Sequence, residues 1–322
     1  MAGGGTTGRA GTGGLDEEVA APEAETPAPG IAVAAEVSLA VAAKASGENF
    51  PVALRVLPAR WRANLTALYG FARLTDDLGD EPLPGIPAGA TEETITATRL
   101  RLLDDLQADV AAIYDGGEPS LDAIKALKKT VEECGIPRQP FDDLIQANRQ
   151  DQLVKRYETY DGLAKYCELS ANPVGQVVLY ILGAATPERL RLSDSICTAL
   201  QLVEHWQDVA EDLRNGRIYL PGEDLERFGV TEADLARPSA GPSVVTLMTF
   251  EVNRAAELLG EGAPLVGTLH GAARLAIAGY LAGGRAALRA IRQAGYDVLR
   301  TTPKPGKAAT LANMAGSYVR GR

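Results

Sequence analysis

Two acidic clusters, each trailing an apolar helical run, constrain this chain more than any other feature. Asp76, Asp77 and Asp80, with Glu81 behind them, follow the apolar stretch from Leu65 to Phe71. Asp208, Glu211 and Asp212 follow the run from Ile196 to Val203. In each cluster two aspartates lie four positions apart, so they share a helix face. Like charges at that spacing cost about a few tenths of a kcal/mol on an exposed helix, and burying them unpaired costs far more. Two such faces opposed across a helical bundle need a cation between them. Mg²⁺ suits the place, because it prefers oxygen ligands and bridges a few carboxylates to phosphate oxygens. The alternative is a pair of solvated acidic faces, with Arg73, Arg214 and Arg217 as ion-pair partners. The recurrence of one geometry in two places favours the metal site.

The rest of the sequence is consistent with a packed helical protein. Hydrophobic residues make up 46% of the 322 positions and aromatics 5%. Ala and Leu dominate, which lose little side-chain freedom in a helix, and the β-branched alternation of strands is hard to find. The net charge of −10 makes nucleic acid a poor partner. Three cysteines without a Cys-x-x-Cys pair read as reduced thiols in a cytoplasmic protein. Two histidines without a Glu-x-x-His pair argue against zinc or di-iron. No stretch reaches the roughly 20 apolar residues of a membrane span, and no signal peptide is evident.

Residues 1–30, rich in Gly, Ala, Thr, Glu and Pro, are expected to form a disordered tail. Residues 31–322 are expected to form one all-helical domain. Apolar periodicity and Pro/Gly punctuation predict helices over 58–79, 92–114, 121–134, 139–154, 159–184, 189–215, 243–260, 264–294 and part of 305–319.

Other residues near the clusters fit a site for a diphosphate that ionises. Arg73, three positions before Asp76, and Arg214 and Arg217 after Asp212 have the bidentate geometry that phosphate oxygens accept. Phe50, Tyr69, Phe71, Tyr166 and Tyr180 fall on predicted helices near the acidic faces, where ring faces stabilise a cation. Ordinary core packing is the alternative for any single one of them.

The words around the clusters resemble the squalene/phytoene synthase family. The first signature is carried by Glu48-Asn49-Phe50-Pro51-Val52, Tyr69-Gly70-Phe71-Ala72-Arg73 and Asp76-Asp77-Leu78-Gly79-Asp80-Glu81. The second is carried by Leu200-Gln201-Leu202, Trp206 through Asp212, and Gly216-Arg217-Ile218-Tyr219-Leu220-Pro221. Between them stands Tyr166-Cys167-Glu168-Leu169-Ser170-Ala171-Asn172-Pro173-Val174-Gly175. The resemblance covers roughly residues 40–300. Asn-Phe-Pro-Val and Ser-Ala-Asn-Pro-Val-Gly look like the bacterial hydroxysqualene synthase branch of hopanoid biosynthesis.

The resemblance implies an all-α isoprenoid-synthase helical bundle around a central cavity. It implies Mg²⁺ held by Asp76, Asp80, Asp208 and Asp212, and diphosphate contacts from Arg73, Arg217 and Lys307. Tyr69 and Tyr166 would line the reacting centre, and Gln201 would point into the cavity. Phe50, Asn172 and Tyr219 belong to the matched words and are taken as substrate contacts. One departure stands at Glu204, where the family usually has Asn. This carboxylate either recruits or repositions a metal ion or weakens diphosphate binding.

The implied reaction takes presqualene diphosphate to hydroxysqualene with no NADPH, and no nucleotide-binding Gly-x-Gly-x-x-Gly unit is found. Head-to-head condensation of two prenyl diphosphates, farnesyl or geranylgeranyl, is the second reading, and a non-catalytic helical scaffold the third. So apolar a substrate is compatible with peripheral contact at the inner membrane face and with other enzymes of the squalene and hopanoid pathway.

Overall fold

The computed structural model describes residues 57–304 apart from 85 and 88, together with 1, 33 and 34. Phe50, Lys307, the tail over 1–30 and the helix expected in 305–319 therefore lie outside the described residues, Met1 excepted. Thirteen helices follow one another among the described residues. They are α1 (Ala59–Asp80), α2 (Glu92–Tyr114), α3 (Asp122–Cys134), α4 (Gln139–Leu153), α5 (Tyr160–Ser170), α6 (Asn172–Ile181) and α7 (Pro187–Gln207). After these come α8 (Val209–Arg214), α9 (Gly222–Phe228), α10 (Glu232–Leu235), α11 (Pro242–Gly262), α12 (Leu265–Thr268) and α13 (Gly271–Gln293). The only β pairing among the described residues is a parallel bridge between Arg156 and Ile218.

Local chemistry sets most helix ends. Thr91, Thr159 and Thr186 accept hydrogen bonds from the backbone N–H groups of Thr94, Gly162 and Arg189, capping α2, α5 and α7. Gly135 closes α3 at φ 63°, a conformation that residues with a Cβ resist.

Three expected helices are each broken in two. The span 159–184 breaks at Ala171, because Pro173 has no N–H and its ring crowds the preceding turn. The span 264–294 breaks before Gly271, which takes φ 55°. The span 189–215 breaks at Asp208 (φ −104°, ψ 14°), although hydrogen bonds continue on both sides of it. Aspartate favours caps over helix interiors because its side chain seeks local donors, and here the Asp208 carboxylate accepts from Thr302. Helices α9 and α10 lie where no helix was expected.

One hydrophobic core includes residues from Leu57 to Leu299. Helix α7 runs through it, packed on α5, α6, α11 and α13, whereas α1 packs on α2, α3, α4 and α6. The acid-bearing ends of α1 and α7 thus belong to two groups of helices joined through α4, α5 and α6. No helix among the described residues is long and apolar enough to cross a membrane.

Candidate active site

Both acidic clusters line one polar cavity of about 340 Å³. Asp76 and Asp80 enter it from α1, Glu204 from α7, and Asp208 and Asp212 from the α7–α8 junction. Arg217, Tyr219, Tyr166 and Gln201 also line it. Arg217 spans the two clusters, its Nη2 donating to Asp80 Oδ1 at 2.8 Å. Of the predicted site residues in the described region, the structure thus gathers nine around one space.

Three are placed elsewhere. Arg73 turns to the other side of α1, its Nε 2.7 Å from Asp77 Oδ1 and its Nη2 3.2 Å from Glu81 Oε1. Tyr69, two turns before Asp76 and half-buried, is outside the lining of this cavity. Asn172 is buried, and its Oδ1 accepts from Thr198 Oγ1 at 2.9 Å, which pins the start of α6 to α7.

Several lining residues escaped the sequence reading. Asn148 and Asp151 come from α4, and His205 from α7. Asn148 Nδ2 reaches Asp76 Oδ1 at 3.4 Å, and Tyr166 donates its hydroxyl to Asp151 Oδ2 at 2.8 Å. Asn148, Asp151 and Gln152 continue the stripe that buries Phe141, Leu144 and Ile145. Polar residues on an otherwise apolar face were the available signal. Beyond the cavity, Thr302 and Lys304 stand beside Asp208.

The electrostatics are those of an anion cluster short of cations. Burial is the main cause that raises Asp76 to about 6, against its Asn148 hydrogen bond and with help from Asp80. Burial, then Asp208, raises Asp212 to about 7. Burial likewise raises Asp151 to about 6, against its bond from Tyr166. Glu204 is raised by burial and then by Asp208. Asp76 and Glu204 do present accessible surface, but they present it to the cavity, so burial still governs them. Among the described residues no three carboxylate, imidazole or thiolate groups converge on one ion-sized point. The acids ring the cavity instead, which suits a cation that takes one or two protein carboxylates and completes its shell with phosphate oxygens.

A pH dependence follows from these shifts. Between the ordinary aspartate value of 3.8 and about 7, the folded protein holds protons that the unfolded chain has released. In that window these groups lose stabilising effect as pH rises. The melting temperature of metal-free protein is therefore expected to climb as pH falls from about 7 to about 5. Added Mg²⁺ with inorganic diphosphate should flatten the trend. Calorimetry across that range, with and without the ions, measures both.

An aromatic wall closes the inner side. Tyr166 and Tyr219 stack at 5.9 Å, Tyr157 and Tyr166 lie 5.4 Å apart, and His205 stacks on Tyr219 at 3.7 Å. Burial, then Arg217, pushes His205 down to about 3, so its ring is neutral. Next to the polar cavity lies an apolar one of about 230 Å³, lined by Val174, Val178, Ile196, Leu200, Leu265 and Ile277 among others. Ser170, Gln201 and Glu204 line both cavities. The arrangement sets a polar, acid-lined space on one side of a seam and an apolar space on the other.

The chain is similar to known proteins in sequence and in fold. The family model described as squalene/phytoene synthase matches residues 43–309. A hydroxysqualene synthase of Rhodopseudomonas palustris is 35% identical over 68% of this chain and 70% of its own length. A 15-cis-phytoene synthase of Synechocystis is 34% identical over 65% of this chain and 62% of its own length. The crystal structure of a squalene synthase from Alicyclobacillus acidocaldarius superposes with a TM-score of 0.71 at 38% identity, covering 83% of this chain and 95% of that one.

Proposed function

Because the chain belongs to the squalene/phytoene synthase family, whose enzymes act on prenyl diphosphates and generally use divalent metal, we propose that it ionises presqualene diphosphate and captures the rearranged carbocation with water, releasing hydroxysqualene and diphosphate. The observation that carries this reading is the joining of an acid-lined cavity to an apolar one along a shared seam. An amphiphile fits it with the diphosphate among the carboxylates and the carbon skeleton among Val174, Leu200 and Ile277.

Mg²⁺ held by Asp76, Asp80, Asp208 and Asp212, with Glu204 beside them, would neutralise the diphosphate and make it a good leaving group. Arg217 would add a guanidinium to the phosphate oxygens at the mouth. Arg73, paired with Asp77 and Glu81, would reach the diphosphate only by giving up those partners. The faces of Tyr166 and Tyr219 would stabilise the positive carbon, with Asp151 fixing the Tyr166 ring through its hydroxyl. His205, being neutral, adds no charge against that cation. The proposed setting is the cytoplasm, with peripheral membrane contact where so apolar a substrate partitions.

Head-to-head condensation is the second reading, favoured by the similarity to a phytoene synthase. Purified protein with Mg²⁺ and no NADPH, given presqualene, farnesyl or geranylgeranyl diphosphate in separate reactions, distinguishes the two. The expected result is a triterpene alcohol from presqualene diphosphate. Consumption of farnesyl or geranylgeranyl diphosphate, with presqualene diphosphate left intact, would overturn the proposal.

A further inference from the structure

We propose that Ser170 and Gln201 hold the water molecule that captures the carbocation, at the seam between the two cavities. This rests on the water-capture reading above. The carbon bearing diphosphate joins a polar head to an apolar body, so ionisation and the rearrangement that follows begin where the polar and apolar cavities meet. The residues lining both are Ser170, Gln201 and Glu204.

Ser170, the last residue of α5, has a buried Oγ with no hydrogen-bond partner among the described residues. Buried hydroxyls are nearly always satisfied, and one left over beside a cavity is a place for a ligand or a water. Gln201 faces the same space from α7. Its Nε2 lies 3.3 Å from His205 Nε2. That contact holds the carboxamide by its nitrogen and leaves its oxygen as the acceptor for a water proton. A water donating to Gln201 Oε1 and Ser170 Oγ keeps its oxygen lone pair for the cation. On the apolar side Ala171, Val174 and Leu200 surround this place, and Glu204 borders it on the acidic side.

The step balances. The carbon–oxygen bond to diphosphate breaks, and its electron pair leaves with the diphosphate. The water lone pair forms the new carbon–oxygen bond. One water proton passes to the released diphosphate, the base that the reaction itself leaves in the polar cavity. Without a held water, the cation instead loses a proton from a neighbouring carbon, giving a hydrocarbon with one more double bond.

The test is Ser170→Ala in the full chain, with presqualene diphosphate and Mg²⁺, reading the ratio of alcohol to hydrocarbon by mass spectrometry. Loss of one hydrogen bond to the water is expected to lower that ratio about fivefold. The melting temperature should be unchanged or higher, since an unsatisfied buried hydroxyl is removed. Ser170→Thr keeps the hydroxyl and should keep the ratio. An unaltered ratio in Ser170→Ala overturns the assignment. A parallel fall in consumption and melting temperature with no change in product also overturns it, as the mark of a structural role. Wild type yielding only hydrocarbon from presqualene diphosphate overturns the water-capture reading, and this assignment with it.

Discussion

Asp76→Asn and Asp212→Asn are each expected to lower kcat/KM for the diphosphate substrate by about a thousandfold, while metal-free protein becomes no less stable. The two effects share one origin. Both carboxylates sit where burial and neighbouring acids raise them to about 6 and about 7. In the metal-free protein the charge is a burden, which the isosteric amide removes. With Mg²⁺ and diphosphate the charge is the ligand, and its loss is expected to cost about 4 kcal/mol of transition-state stabilisation. A helical scaffold without catalysis predicts the gain in stability alone. Steady-state kinetics and melting curves on the same preparations separate these accounts. A second signature is available, because Mg²⁺ with inorganic diphosphate should raise the melting temperature of wild type and not of either variant.

Arg254→Ala is expected to do the opposite, lowering the melting temperature by about 6–10 °C with kcat little changed in the cold. Arg254 Nη1 lies 2.9 Å from Asp224 Oδ2 and 3.3 Å from Glu251 Oε2. Its guanidinium also covers the rings of Tyr160 and Phe250 at 4.1 and 4.4 Å. Glu251 has no exposure at all, and burial is the main cause that raises its carboxyl to about 8, with Arg254 opposing it. Removing the guanidinium leaves buried Glu251 without its counter-charge and Asp224 with only Arg227, at 4.0 Å. The cost of such a break is about 3–5 kcal/mol, and the lower figure applies because Glu251 can hold a proton. The network fastens α9 behind the segment Gly216–Leu220, which carries Arg217 and Tyr219 into the cavity. That segment is also tied to Lys155 and Tyr157 by the N–H groups of Ile218 and Gly222. Circular dichroism melts and low-temperature kinetics check the two halves of the prediction.

The pairing of the acidic clusters was legible because it depends on local spacing and helical period. Asp76 and Asp80 share a face in any helix, and so do Asp208 and Asp212 even across the break between them. The long helices were legible for the same reason, with Pro and Gly marking their ends. What spacing does not decide is which way a side chain turns. Arg73 has Asp76 three residues on and Asp77 four residues on, and packing selects Asp77. Asn148 and Asp151 lie on the apolar stripe of α4, and only the packing of α1 and α5 shows what they face. Ser170 opens the Ser-Ala-Asn-Pro-Val-Gly word, but its place beside the site emerges only where two cavities from different helices meet. The breaks at Ala171 and before Gly271 are marked by Pro173 and Gly271, but apolar periodicity runs unbroken across both. The break at Asp208 has only a weak local signal, the preference of aspartate for caps over helix interiors.

Running the reaction in ¹⁸O-labelled water tests the central claim most directly. Presqualene diphosphate, Mg²⁺ and wild-type protein without NADPH are expected to give a triterpene alcohol that carries the heavy oxygen, with unlabelled bridging oxygen retained in the diphosphate. An alcohol free of label would mean cleavage on the phosphorus side and no carbocation. A hydrocarbon alone would mean that the cation is not captured by water, and either result would contradict the account.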